Sequence, residues 1–127
     1  MSSPSVSQLS IYLQIANMLE EGILSDAYPE ESQAPSTNEL AKRFSINPAT
    51  AAKGVNLLVE DGVLYKRRGL GMFVAEGARE KIRQKRRKAF YNDFALPLAV
   101  ESRNLKYTDL ELSQLVQRAL DEVDSER

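Results

Sequence analysis

The chain has 127 residues, 43% of them hydrophobic, with neither cysteine nor histidine. That is room for one domain, or for a small domain with an appendage, and too apolar for wholesale disorder. Disulfides, thiol nucleophiles, imidazole general bases and the usual nitrogen- and sulfur-ligated zinc sites are excluded, so the expectation is no enzyme, no metal and no cofactor. The net charge of −1 conceals a segregation: residues 1–41 sum to −6, residues 42–88 to +9 and residues 89–127 to −4. A positive block between acidic flanks focuses a field that steers polyanions. The chain contains neither the ~18-residue apolar run of a membrane span nor a basic-then-apolar leader, and a cytoplasmic location is expected.

Ser2–Ser7 is serine-rich and reads as a frayed end. From about Gln8 to Leu24, Ile11, Ile15, Leu19 and Ile23 recur every four residues, which predicts a helix with one apolar face. Ser25–Ala34, with Asp26, Pro29 and adjacent acids, reads as a loop. The carboxylate pairs Glu20-Glu21 and Glu30-Glu31 read as solvated surface. Ser36 followed by Glu39 is a capping box opening a helix, Thr37–Phe44, with Leu40, Ala41 and Phe44 on one face. After a break at Ser45-Ile46, Asn47 can cap a second helix that starts at Pro48, where the missing N–H costs nothing. That helix turns Val55, Leu58 and Val59 inward and stops at Gly62, a left-handed C′ glycine. Two short helices so spaced form a helix-turn-helix, whose second helix enters the major groove of DNA.

Val63–Lys66 and Met72–Ala75 read as strands around the basic turn Arg67-Arg68-Gly69-Leu70-Gly71. Arginines at the tip of a hairpin directly after a recognition helix suggest a wing, whose glycines let the backbone approach phosphates or the minor-groove floor. The turn lacks the third glycine of a dinucleotide loop. Seven of the ten residues Arg79–Lys88 are basic, which predicts an exposed connecting helix near the DNA-facing side. Beyond it Phe90, Phe94 and Leu98 step by four, Pro97 kinks the helix or lies near its end, and Asn104 reads as the C′ stop. Thr108 with Glu111 forms a second capping box. The helix after it carries Leu112, Leu115, Val116, Ala119 and Val123 on one face, widened by Leu110 and Leu120. This helical hairpin is too short to hold a core alone. Symmetric pairing with a second copy is the natural partner, the alternative being packing back onto the same chain. The expected interface comprises Phe90, Phe94, Leu98, Leu112, Leu115, Val116 and Ala119. The fold class is mostly α with a small β-hairpin: a winged helix-turn-helix over residues 8–76 and a helical dimerisation region over 77–127.

Ordered motifs over residues 9–75 resemble the GntR family of bacterial transcription regulators. They are Ile11-Tyr12-Leu13-Gln14-Ile15, Pro35-Ser36-Thr37-Asn38-Glu39-Leu40-Ala41, Asn47-Pro48-Ala49-Thr50, Glu60-Asp61-Gly62-Val63-Leu64 and Arg67-Arg68-Gly69-Leu70-Gly71-Met72-Phe73-Val74. The short two-helix tail is similar to the YtrA subfamily, which has a reduced dimerisation region in place of a large effector domain. The resemblance implies DNA contacts from Ser36, Thr37 and Asn38, from Asn47, Pro48, Ala49 and Thr50, and from the wing glycine, Gly69 or Gly71. Many relatives carry arginines where this chain has Asn38, Pro48 and Ala52, and guanine readout by those arginines is absent here.

Of the individual residues, Asn38 suits an adenine edge, or is a solvated first-turn residue. Thr50 suits a thymine methyl or a phosphate, and Lys53 a phosphate. At least one of Arg67 and Arg68 suits a phosphate or the minor groove. Tyr12 and Tyr65 read as packing residues. The function that follows is a homodimeric, sequence-specific DNA-binding regulator, a repressor on a double-stranded pseudo-palindromic operator in the bacterial nucleoid. It leaves room for a small-molecule effector and needs no membrane. The alternative is a winged-helix module that binds protein or RNA without specific DNA binding.

Overall fold

The computed structural model describes residues 10–126, so Gln8, Leu9 and the serine-rich start lie outside the described residues. The described chain forms two compact units that divide between Lys88 and Ala89. The first contains α1 (Ile11–Leu24), α2 (Thr37–Phe44), α3 (Pro48–Glu60), β1 (Leu64–Arg67), β2 (Gly71–Val74) and most of α4 (Ala78–Phe90). The division falls beyond the expected 76/77 boundary because Ala78 and Ile82 of α4 are fully buried in the core of the first unit.

That core is built from Ile15, Leu19 and Ile23 of α1, Leu40 of α2, Val55 and Leu58 of α3, Val63, Val74 and Ile82. Both predicted caps form. The Ser36 hydroxyl accepts from the Glu39 N–H at 3.0 Å and the Glu39 carboxylate accepts from the Ser36 N–H at 3.3 Å. The Asn47 side chain accepts from the Ala49 N–H at 2.8 Å, with Pro48 in the first turn of α3. Ser45, at φ +53°, ends α2. Gly62, at φ +75°, lets the Val63 N–H return to the Leu58 carbonyl at 2.9 Å, closing α3 as expected. Two apolar positions depart from the expected core. Ile11 is 45% and Phe44 41% exposed. They flank an open apolar cleft of about 290 Å³ with Met18 and Ile46.

The hairpin pairs Leu64 with Val74, Tyr65 with Phe73, Lys66 with Met72 and Arg67 with Gly71. Each strand thus lies one residue nearer the turn than expected, because the Leu70 N–H bonds to the Arg67 carbonyl at 2.9 Å and tightens the tip. The stretch read as loop is partly extended. Ala34 N–H donates to Met72, Glu31 N–H to Val74 and Val74 N–H to Ser32, and Gln33 bridges Phe73, so residues 31–34 flank β2 as a third rung.

The second unit comprises a π turn (Tyr91–Ala95), α5 (Leu96–Asn104) and α6 (Asp109–Ser125). Pro97 does not end a helix; it occupies the first turn of α5, directly after the π turn, where a missing N–H is tolerated. The preceding turn widens so that the Leu96 N–H reaches the Tyr91 carbonyl five residues back. Asn104 is the last residue of α5, and the left-handed stop is Lys106, at φ +62°. Its neighbour Tyr107 returns its N–H to the Ser102 carbonyl at 2.9 Å. The Thr108–Glu111 capping box opens α6 as predicted.

Helices α1 and α3 approach closely at Gly54. A Cβ built there would lie 2.7 Å from the Tyr12 carbonyl oxygen and 3.2 Å from the Ile15 side chain. Glycine within a helix ordinarily costs about 1 kcal/mol relative to alanine, so alanine would stabilise an isolated α3. In the folded unit the clash with a backbone atom dominates. Gly54→Ala should lower stability in urea titrations by about 1–3 kcal/mol; a variant as stable as the parent would show that the helices can separate without loss.

Candidate nucleic-acid interface

The first turns of α2 and α3 and the hairpin tip carry the residues singled out in the sequence. Asn38, Asn47, Pro48, Ala49 and Lys53 are exposed, and Ser36, Thr37 and Thr50 are partly so. The side-chain oxygens of Ser36 and Asn47 are already engaged as helix caps. Asn38 and Thr50 therefore retain the more available polar groups at the two helix starts. The Lys53 ammonium lies 4.0 Å from the centre of the Tyr12 ring, a cation–π contact. Tyr12, expected to be a packing residue, is thus the platform that positions Lys53.

On the hairpin, Arg68 and Gly69 are exposed at the tip, and Gly69 (φ +78°) and Gly71 (φ +109°) hold backbone conformations that strain other residues. Arg67 differs from Arg68. Its guanidinium stacks 4.2 Å over the Phe73 ring and donates to the Tyr65 hydroxyl at 2.9 Å. The Glu31 carboxylate lies 3.5 Å from it and accepts from the Tyr65 hydroxyl at 3.0 Å. Gln33 donates to the Leu70 carbonyl at 2.7 Å and braces the turn. Glu31, Gln33 and Tyr65 escaped sequence reasoning, since contacts more than thirty residues apart leave no local pattern.

The basic run of α4 is largely exposed, as expected, with Lys81, Arg83, Lys85, Arg87 and Lys88 open to solvent, but part of its charge is met by acids elsewhere in the unit. Glu20, expected to be solvated, is 6% exposed and accepts from Lys85 at 2.8 Å and from Arg86 at 3.0 Å. Lys85 also pairs with Asp61 at 2.8 Å, Arg86 with Glu21 at 2.7 Å, and Arg79 with Asp26 at 3.1 Å. Burial pulls the pKa of Lys85 down, but its bonds to Asp61 and Glu20 outweigh this and raise it above the ordinary 10.5. Glu30, also expected to be solvated, accepts from the N–H groups of Gly77 at 2.8 Å and Arg79 at 3.2 Å, capping the start of α4 from a distance. Lys42, Arg43, Lys66 and Arg68 are exposed and form no ion pair among the described residues. They lie in the last turn of α2 and on the hairpin.

In the second unit Phe90, Phe94 and Leu98 are 58%, 62% and 44% exposed. Val116 and Ala119 are exposed and Leu112 and Leu115 half-buried. The Phe90 and Phe94 rings lie 5.3 Å apart. Among the described residues no helix is long and apolar enough to cross a membrane.

Three helices, a two-stranded wing and glycines at its tip define a winged helix-turn-helix. The model of the gntR family of bacterial regulatory proteins matches residues 11–74, half of the chain. The chain belongs to that family, which is one of regulatory proteins rather than enzymes. It is 33% identical over 79 residues to the histidine utilization repressor of Pseudomonas aeruginosa, a match covering 58% of this chain and 32% of the repressor. The chain thus spans about a third of the length of the curated relatives it matches. Solved structures extend the likeness. A GntR-family regulator from Bacteroides thetaiotaomicron is 29% identical, with a TM-score of 0.73 over 89% of this chain and 98% of that one. YtrA of Sulfolobus acidocaldarius is 26% identical, with a TM-score of 0.54 over 98% and 99% of the two chains. The AraR DNA-binding domain, solved in complex with operator ORX1, is 29% identical, with a TM-score of 0.52 over 59% and 90%.

The backbone bonds from Gly77 and Arg79 hold the Glu30 carboxyl below its ordinary pKa of 4.5. A depressed carboxylate pKa contributes stability that is complete above the unfolded value and is lost as pH falls through the folded one. The parent should therefore melt above Glu30→Gln at neutral pH, and that gap should narrow between about pH 5 and pH 3. A gap unchanged across this range would show that the charge on Glu30 has no part in anchoring α4.

Proposed function

We propose that this chain is a sequence-specific DNA-binding transcriptional regulator. It acts in the cytoplasm as a homodimer on a pseudo-palindromic operator, repressing by occlusion of a promoter. The observation that carries the reading is the juxtaposition of two exposed helix starts with a glycine-bearing basic wing in a gntR-family fold. The unpaired cations on α2 and the hairpin supply phosphate contacts, which dominate affinity. Asn38 and Thr50 supply groups suited to base edges. The operator complex of the AraR domain supports duplex DNA as the partner. Dimerisation is supported by the second unit, whose large apolar side chains are exposed while Ser102 is its one buried residue among those described. Such a surface needs a partner, and a second copy supplies matching faces under two-fold symmetry.

Two recognition helices related by a two-fold axis require half-sites centred about 10 base pairs apart. With Asn and Thr at the reading positions, those half-sites should lean towards A·T. Sequencing duplexes selected from a random pool by the full chain tests both statements. Five base pairs inserted between the half-sites should abolish tight binding, and undiminished affinity would refute the symmetric dimer. Preference for RNA, or no duplex affinity at all, would establish the interaction-module reading instead.

Single substitutions divide the interface. Lys53→Ala should weaken all duplexes alike and flatten the salt dependence by about one unit. Asn38→Ala should relax preference at one base pair per half-site, at a cost of ~1–3 kcal/mol. Equal losses on selected and random DNA for both variants would remove the distinction.

A further inference from the structure

Among the described residues, four other than glycine have positive φ: Asp26, Glu31, Ser45 and Lys106. Asp26, Ser45 and Lys106 follow the ends of α1, α2 and α5, where left-handed residues close helices. Glu31, at φ +68°, instead sits third in the turn that the Ser32 N–H closes on the Pro29 carbonyl at 3.1 Å, just before the rung beside β2, a position that usually takes glycine. Its side chain is directed at Arg67. One carboxylate oxygen accepts from the Tyr65 hydroxyl at 3.0 Å and lies 3.5 Å from the Arg67 guanidinium, which rests on Phe73. Tyr65, Phe73 and Arg67 share the hairpin face opposite the buried Leu64 and Val74, so the pair lies on the outside of the wing. Both side chains are about half exposed, at 42% and 52%.

A carboxylate offers a guanidinium the same oxygen geometry as a phosphate. An exposed pair of this kind is held weakly enough to be exchanged. We propose that Glu31 is a built-in competitor for nucleic-acid phosphate at Arg67. In the free protein it holds the guanidinium in place on Phe73; on the duplex a backbone phosphate takes the guanidinium and Glu31 is released. This rests on the DNA-binding reading above. The exchange has a signature in affinity: the phosphate must displace the carboxylate before it takes Arg67, so removing the carboxylate tightens binding only as long as Arg67 is present.

The test uses the full chain and a random-sequence duplex, with binding followed by fluorescence anisotropy across a range of salt. Glu31→Gln keeps an acceptor for Tyr65 without the charge, and Glu31→Gly also relieves the left-handed backbone. Both should bind roughly two- to five-fold tighter than the parent at low salt. In an Arg67→Ala background the same changes should have no such effect. The proposal is overturned if Glu31→Gln matches the parent, if only Glu31→Gly tightens binding, or if the gain persists without Arg67. A parent chain with no affinity for any duplex overturns the DNA-binding reading as well; a parent that binds while the Glu31 variants match it overturns this proposal alone.

Discussion

Removing the Glu20 carboxylate from water carries a penalty of several kcal/mol unless cations and hydrogen bonds meet it in place. Lys85 and Arg86 do so from α4, while Asp61 and Glu21 complete the network around them. Helix α4 brings little apolar surface to this contact, since Ala78 and Ile82 are its buried residues. Ionic contacts therefore decide where its second half lies, and they tie it to α1 and to the end of α3. With only the carboxylate buried and its cations partly exposed, the network fixes the position of α4 more evidently than it adds net stability. Its consequence is that α4 becomes part of the winged-helix body rather than an appendage to it.

The same contacts reshape the electrostatics. The segment from Lys42 to Lys88 is strongly positive in sequence, but much of the charge in α4 is answered by acids of α1, the following loop and the end of α3. The acidic start of the chain is thus the complement of the basic run, not simply its flank. What remains unpaired among the described residues includes Lys42, Arg43, Lys66 and Arg68 on α2 and the hairpin, Lys53 on α3, and Lys81, Arg87 and Lys88 on α4, all of them exposed. A charge sum over sequence windows finds the right block for a partly different reason.

Local features were legible in the sequence because their causes are local. Ser36 with Glu39, Thr108 with Glu111 and Asn47 before Pro48 each bond within three residues, so spacing alone identifies them. The apolar periodicity of α1 and α3 located the core for the same reason. Contacts made across the chain were not legible. Glu20 and Arg86 are 66 positions apart, Glu30 and Arg79 49, and Gln33 and Leu70 37. No residue type near Glu20 or Glu30 announces a distant cation or helix start, and isolated acids default to solvent. Phe44 failed differently: it has the period of the inward face but is the last residue of α2, and it lies 41% exposed beside Ile46 at the cleft. The second unit is an intermediate case. Its caps and apolar stripe write the helices, yet nothing within its own sequence closes a core over Phe90, Phe94 or Leu120.

The reading surface, on the DNA-binding interpretation, is prepared by residues that need not touch DNA. Tyr12 carries Lys53, Phe73 and Tyr65 carry Arg67, Gln33 ties the wing turn, and Ser36 and Asn47 close the helix starts that present Asn38 and Thr50. Ordering a long side chain on binding costs about 0.5–1.5 kcal/mol. Stacking two cations on aromatic rings in the free protein removes part of that cost before any partner arrives. Lys42, Arg43 and Arg68, by contrast, have no such platform among the described residues and would bear the full cost of ordering. Apart from the local pairs Arg83–Glu80 and Arg103–Asp109, the described basic residues therefore fall into three kinds by their surroundings: those spent on holding α4, those held ready on aromatic rings, and those left free of ion pairs. On this interpretation the second kind should fix the register of the complex, and the third should contribute affinity that any duplex can supply.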